Sequence, residues 1–148
     1  MSASPFPLRP GSVLAIDHGT KRTGFAVTDG LRLTLSPLDP FHGAGDGPEL
    51  VRHIRRLADE RDLAAVLLGL PLNNDGTENP QCQAVRTFGD RLGQALPGVP
   101  IVYIDEHLTS KEAEARLVDA GFTGADRKAR RDSWSALVML EEWLANLG

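Results

Sequence analysis

Ser12-Val13-Leu14-Ala15-Ile16-Asp17-His18-Gly19-Thr20-Lys21-Arg22-Thr23-Gly24 is a short apolar run that ends in a carboxylate and continues at once into glycine, a hydroxyl and two cations. A strand fixes Asp17 rigidly, Gly19 lets a ligand approach the backbone, and Lys21 and Arg22 offer positive charge to phosphate oxygens. The arrangement points to a phosphate or metal-phosphate site. The competing reading is a strand-end aspartate that caps a turn, since Asp and Gly are ordinary turn residues. The remainder of the chain decides between the two.

Working outward, Val13 to Ile16 and Gly24 to Thr28 read as strands, and Asp29-Gly30 reads as a hairpin turn into a third strand over Leu31 to Leu38. Three antiparallel strands therefore open the chain. Pro40 to Pro48, with three glycines, reads as a flexible connection, after which Leu50, Ile54 and Leu57 recur at helical spacing. Ala64 to Leu70 has the continuous apolar character of a buried parallel strand. Asn79-Pro80 supplies an N-cap and a first-turn proline to a helix carrying Val85, Phe88 and Leu92, which Gly93 and Pro97-Gly98 should end.

Ile101 to Ile104 is the last strand and delivers Asp105 and Glu106 at its carboxyl end. Thr109-Ser110-Lys111-Glu112 reads as a capping box opening a short helix that Gly121 should stop. A final helix is expected from near Asp132, with Leu137, Leu140, Leu144 and Leu147 as its apolar stripe. This order predicts an α/β fold: a mixed five-stranded sheet flanked by helices. In such sheets ligands gather beyond the carboxyl ends of the parallel strands, where Asp17, the loop Pro71 to Asp75 and Asp105-Glu106 would all emerge.

A chain of 148 residues fits one domain whose core needs neither disulfide nor structural metal. The expected layout is a flexible segment over residues 1–11 and a single domain over 12–148. Cys82 is the only cysteine, which excludes an intrachain disulfide and argues against a cysteine-based zinc site. Met1 to Pro10 lacks the apolar core of a signal peptide, and no stretch approaches membrane-spanning length, so a cytoplasmic protein without a membrane partner is expected. A net charge of −4 argues against a protein that grips nucleic acid over its whole surface. Cations instead concentrate at Lys21-Arg22 and at Arg127, Lys128, Arg130 and Arg131.

Four blocks carry a family resemblance. Leu14 to Asp29 resembles the opening motif of the YqgF/RuvX family of Holliday-junction resolvases and ribosomal RNA processing nucleases. Leu68-Gly69-Leu70-Pro71-Leu72-Asn73-Asn74-Asp75-Gly76-Thr77-Glu78 is similar to that family's central loop, and Asp105 to Ala113 to its acidic motif. Arg130-Arg131-Asp132-Ser133-Trp134-Ser135-Ala136 is similar to the start of its last helix. The blocks occur in the family's order and span nearly the whole chain. Two residues depart from the pattern: His18 stands where an apolar or aromatic residue is usual, and His107 where arginine is usual. At neutral pH His107 would carry less charge than arginine, since an unperturbed imidazole titrates at about 6.5.

The resemblance implies a ribonuclease H-like fold and a nuclease that hydrolyses phosphodiester bonds, in maturation of the 5′ end of pre-16S rRNA or related processing of RNA or single-stranded DNA. Holliday-junction resolution in DNA recombination and repair is the alternative. It further implies Asp17 as central metal ligand, Glu106 as second and Asp132 as third, holding Mg2+ or Mn2+. Two such ions about 3.5 to 4 Å apart activate water and relieve charge on the departing oxygen, and carboxylate oxygens are their preferred ligands. Asp105 is the poorer ligand, because strand side chains alternate and only one of Asp105 and Glu106 can face the site without a bend.

For contacts to nucleic acid the candidates are Lys21, Arg22, Asn73, Asn74, Arg127, Lys128, Arg130 and Arg131. His18, His42, His53 and Cys82 read as structural, and Trp134 and Trp143 as core or dimer surface. Symmetrical cutting of a four-way junction would need a two-fold homodimer presenting two sites. Two other classes compete. Sugar kinases and actin-like ATPases share the Asp-x-Gly-Thr turn, but they place nucleotide between two duplicated domains, for which this chain is too short. The other is a nucleic-acid-binding module that lost its chemistry, against which the three acids speak.

Overall fold

The computed structural model describes residues 9–107 and 109–147. The expected flexible segment over 1–11 therefore lies largely outside the described residues. The chain forms β1 (Ser12–Asp17), β2 (Arg22–Thr28), β3 (Leu35–His42), α1 (Pro48–Asp59), β4 (Leu63–Leu70), α2 (Pro80–Ala95), β5 (Ile101–Asp105), α3 (Thr109–Asp119) and α4 (Gly124–Ala145). The strands make one sheet in the order β3-β2-β1-β4-β5. Strands β1, β2 and β3 pair antiparallel, whereas β4 runs parallel to β1 and β5 parallel to β4.

Alternation along the strands sorts the core into two layers. Leu14, Ile16, Phe25, Val66 and Leu68 pack with Leu50 and Ile54 of α1 and Val85, Phe88 and Leu92 of α2. Val13, Ala15, Ala26 and Leu67 face the other way, onto Ala136, Met139 and Leu140 of α4. Helix α3 packs on α4. Every residue of β4 is buried, as its unbroken apolar run requires of a central parallel strand. Asn79 caps α2 as expected, its side chain accepting from the Cys82 amide at 3.0 Å, with Pro80 in the first turn.

Three expectations are corrected. Asp29-Gly30 does not make a two-residue hairpin: the Asp29 carboxylate accepts from the amides of Leu33 (2.7 Å) and Thr34 (2.9 Å), and Arg32 turns to φ 57. The third strand thus starts at Leu35, paired with Thr28, and runs on through Pro40 to His42. Prolines are tolerated there because β3 is an edge strand. Helix α4 starts at Gly124 rather than near Asp132, so the basic run is helical, as suits Lys and Arg. Its buried face is Ser133, Ser135, Ala136, Val138, Met139 and Leu140, while Leu147 is exposed. Finally, Thr109 does not open a capping box with Glu112. Its hydroxyl donates to the Glu106 carbonyl at 2.9 Å, and Glu112 instead accepts from Arg116.

Candidate active site

The register of the sheet brings three acids to one end of it. Asp17, the last residue of β1, is paired with Gly24 of β2. Gly24 has no side chain because α4 lies directly on it: a Cβ there would sit 2.1 Å from the carbonyl carbon of Asp132 and 2.2 Å from its oxygen. The contact is fastened by the Phe25 amide, which donates to Ser133 Oγ at 3.1 Å. Asp132 is thereby held beside Asp17, although the two are far apart in sequence. Glu106 follows β5 directly, and its amide donates to the Leu70 carbonyl at 3.2 Å. Gly69 makes room for it, since a Cβ there would meet Glu106 Oε2 at 2.4 Å and Met139 Sδ at 2.6 Å.

The electrostatics follow from this crowding. Burial, first, then the charge of Glu106, a hydrogen bond with it and the charge of Asp132 push the Asp17 carboxyl well above the ordinary carboxylate range. Glu106 is raised as well, by burial above all and also by the charge of Asp105, while the hydrogen bond from Asp17 opposes the rise. Both shifts fit one proton held between the pair, with Asp17 the donor to Glu106, because two adjoining carboxylates do not both ionise readily without a counter-charge. Glu106 Oε2 is sealed from solvent, and no N–H or hydroxyl of the described residues reaches it. Such an oxygen is costly unless a proton or a cation meets it. Asp132 has its counter-charge already, from Arg22 Nε at 3.2 Å.

As they stand, no three described His, Cys, Asp or Glu side chains form a group that could hold a metal ion. Asp17 is hydrogen-bonded to Glu106, and Asp132 is paired with Arg22. The donor chemistry itself fits a hard divalent cation: three carboxylates converge, and one of their oxygens is buried without a donor. Opening the cluster to a cation costs the shared proton and the Arg22 contact.

The structure separates the other candidates. Asp105 is exposed, and its Oδ1 accepts from the His107 amide at 2.8 Å, so it turns away while Glu106 turns in. Lys21, Arg22 and Lys128 line a cleft of about 640 Å3 together with Asp132, His42 and Gln81. Arg127 is occupied elsewhere: it pairs with Glu114 at 3.0 Å and donates to the Phe122 carbonyl at 2.8 Å, joining α4 to α3. Arg130 lies 4.4 Å over the Phe122 ring. Arg131 is half-buried on α4 one residue before Asp132. Asn73 spends its amide inside its own loop, on Thr77 Oγ1 and on Asn79, whereas Asn74 is exposed. Sequence reasoning missed Gly24, Gly69 and Ser133 as the residues that place the acids, and Thr20, His42 and Gln81 as lining. A glycine within the second strand was the available signal for Gly24, since such a glycine often marks a close backbone approach.

A mixed sheet in this strand order, with acids at the ends of β1 and β5 and on the last helix, is the ribonuclease H-like architecture. The chain belongs to the RuvX Holliday junction resolvase family, whose model matches residues 11–146. A protein of Chlorobium phaeobacteroides called "Putative pre-16S rRNA nuclease" is 37% identical over 92% of this chain and 93% of its own length. One of the same name from Cereibacter sphaeroides is 41% identical over 82% and 74%. Among solved structures, Thermus thermophilus RuvC in complex with a Holliday junction substrate superposes with a TM-score of 0.55 at 16% identity, covering 93% of this chain and 96% of that one. That likeness concerns the fold.

Proposed function

We propose that the chain is a divalent-metal-dependent nuclease that hydrolyses phosphodiester bonds at the Asp17, Glu106 and Asp132 cluster, acting in the cytoplasm on precursor 16S ribosomal RNA. The observation that carries this is the convergence of three carboxylates, one with a donorless buried oxygen, beside a cleft lined by Lys21, Arg22 and Lys128. The name borne by the curated relatives supports this choice of substrate.

Asp17, Glu106 and Asp132 would hold Mg2+ or Mn2+, and the ions when bound supply activated water and charge relief at the departing oxygen. Asp17 and Glu106 give up their shared proton on loading. Lys21 and Lys128 steady the phosphate, and Arg22 moves from Asp132 to the phosphate as the acid is recruited. Arg131 and Asn74 are the remaining candidates for contacts to the nucleic acid. Arg127, Arg130 and Asn73 act through the fold, since their polar groups or guanidinium faces are already engaged.

The test is cleavage of matched precursor RNA, single-stranded DNA and four-way junction substrates in manganese at one salt concentration. RNA is expected to be cut fastest, and chelator should stop all cutting. Chelator-resistant cleavage would remove the metal from the mechanism. Calorimetric titration of magnesium or manganese separates a nuclease from a binding module without chemistry, for which no metal uptake is expected. Junction resolution is the second reading, favoured by the family's description and by the RuvC fold. Symmetrical, ligatable nicks at the highest rate, from a two-fold homodimer, would put it first.

A further inference from the structure

A second cavity, of about 370 Å3, adjoins the cleft of Lys21, Arg22, Lys128 and Asp132 across Thr20, which lines both. Its walls are His18, Ala84, Thr87 and Phe88, with Asp46 and Arg91 at the side. His18 stacks on Phe88 with ring centroids 4.4 Å apart and planes inclined by 21°. Its Nε2 lies 2.8 Å from the Gly45 carbonyl, an acceptor, so that nitrogen carries the proton and the ring is pinned as a flat wall. Arg91 donates to the Asp46 carbonyl at 2.7 Å, tying α2 to the loop before α1.

The position of this cavity follows from the pleat. Ala15 faces α4 and Ile16 faces α1 and α2, so Asp17 turns to the α4 side and His18 to the α2 side. The end of β1 is therefore a ridge, with acids and cations on one flank and an aromatic and aliphatic hollow on the other. A flat wall, small aliphatic sides and a few polar groups suit a planar heterocycle better than a phosphate. The one cation lining it, Arg91, is engaged with a carbonyl.

We propose that this cavity receives one unpaired nucleobase of the strand whose phosphate lies in the neighbouring cleft, so that cutting requires an unstacked base beside the scissile bond. The proposal deepens the nuclease reading and rests on it. A base inside a duplex is stacked and its edge is paired, and it must leave the stack to enter a pocket. The site thus selects single strands, ends, bulges or crossover points over continuous duplex.

Two measurements test it. In the first, single-stranded RNA carrying 5-iodouridine is photocrosslinked to the protein in chelator and the adduct is mapped; attachment to His18 or Phe88 is expected. In the second, RNAs with one abasic nucleotide at successive positions are cleaved in manganese. One position next to the cut should raise KM about tenfold, the scale of one lost base stack. Ala84→Leu fills the cavity from the exposed face of α2 and should abolish both the crosslink and the positional effect, raising KM for intact RNA. His18→Ala, which removes the wall and uncovers one face of Phe88, should do the same, with a thermal melt checking that the fold is kept. Equal KM at every abasic position, or adducts confined to other aromatic residues, would overturn the base site while leaving the nuclease standing. A crosslink at His18 or Phe88 with no cleavage of any substrate would sustain the base site and overturn the nuclease.

Discussion

At the scale of single residues, the crowding of Asp17 against Glu106, with a proton held between them, ties stability to pH. Both folded-state values are raised, so the stability this proton lends is fully present below the ordinary carboxylate range and is lost as pH rises through the raised values. The metal-free protein is expected to melt progressively lower as pH rises above the ordinary carboxylate range. Asp17→Asn should flatten that dependence and match or exceed the parent's stability at neutral pH, because it removes one of several repelling charges. It should also abolish cleavage, as should Glu106→Gln, with Asp105→Asn costing less; thermal melts in chelator and turnover in manganese read the two effects. A steeper pH dependence in Asp17→Asn would refute the shared proton. Gly69→Ala is the subtler probe. Its methyl meets the buried carboxylate of Glu106 and the buried sulfur of Met139, so turnover should fall about 10- to 100-fold, the cost of misplacing a ligand, and the melting temperature should fall with it. The three acids were legible in the sequence because each sits in a motif. Gly69 was not, because what a missing side chain makes room for depends on a helix far along the chain.

At the scale of elements, the docking of α4 on β2 decides whether the acids meet. A methyl at Gly24 would strike backbone rather than a flexible side chain, so Gly24→Ala should destabilise by at least about 1–3 kcal/mol in urea unfolding and lose activity with it. In an ordinary strand the same change would help, so a neutral result would mean that α4 is not pinned there. Arg127 and Lys128 make a contrasting pair on one helix. Arg127→Ala should cost about 1 kcal/mol through its lost Glu114 and Phe122 contacts while leaving the salt dependence of RNA binding unchanged. Lys128→Ala should leave stability within about 0.5 kcal/mol and lower the salt slope by about 1. The element order was readable from apolar runs and caps, which are local. The start of β3 and of α4 was not. Asp29 chose two amides beyond the expected turn, edge pairing rescued Pro37 and Pro40, and a solvated basic turn carries no apolar period to mark it as helix.

For the whole molecule, a net charge of −4 with cations gathered along one cleft implies few phosphates engaged at once. RNA affinity should therefore be modest, with a shallow dependence on salt compared with a broadly basic junction binder, as titrations at several salt concentrations would register. A slope of the size expected for many neutralised phosphates would contradict this and favour the junction. No helix among the described residues is long and apolar enough to cross a membrane. The mixed sheet was legible from the sequence because three antiparallel strands followed by alternating helices and parallel strands leave few topologies, and the family resemblance supplied its ribonuclease H-like character, whereas the hollow behind His18 needed the packed α2.

The seat of Asp132 on Gly24 also has a temporal meaning. Phe25 and Ser133, which fasten it, are separated by 108 positions, so the first strands leave the ribosome long before the helix that completes the acid cluster. Until α4 arrives, the sheet face bearing Val13, Ala15 and Ala26 has no cover and Asp17 lacks its distant neighbour. An unfinished chain thus lacks Asp132, and on the proposed reading of the site its acid cluster would be completed only once α4 is made.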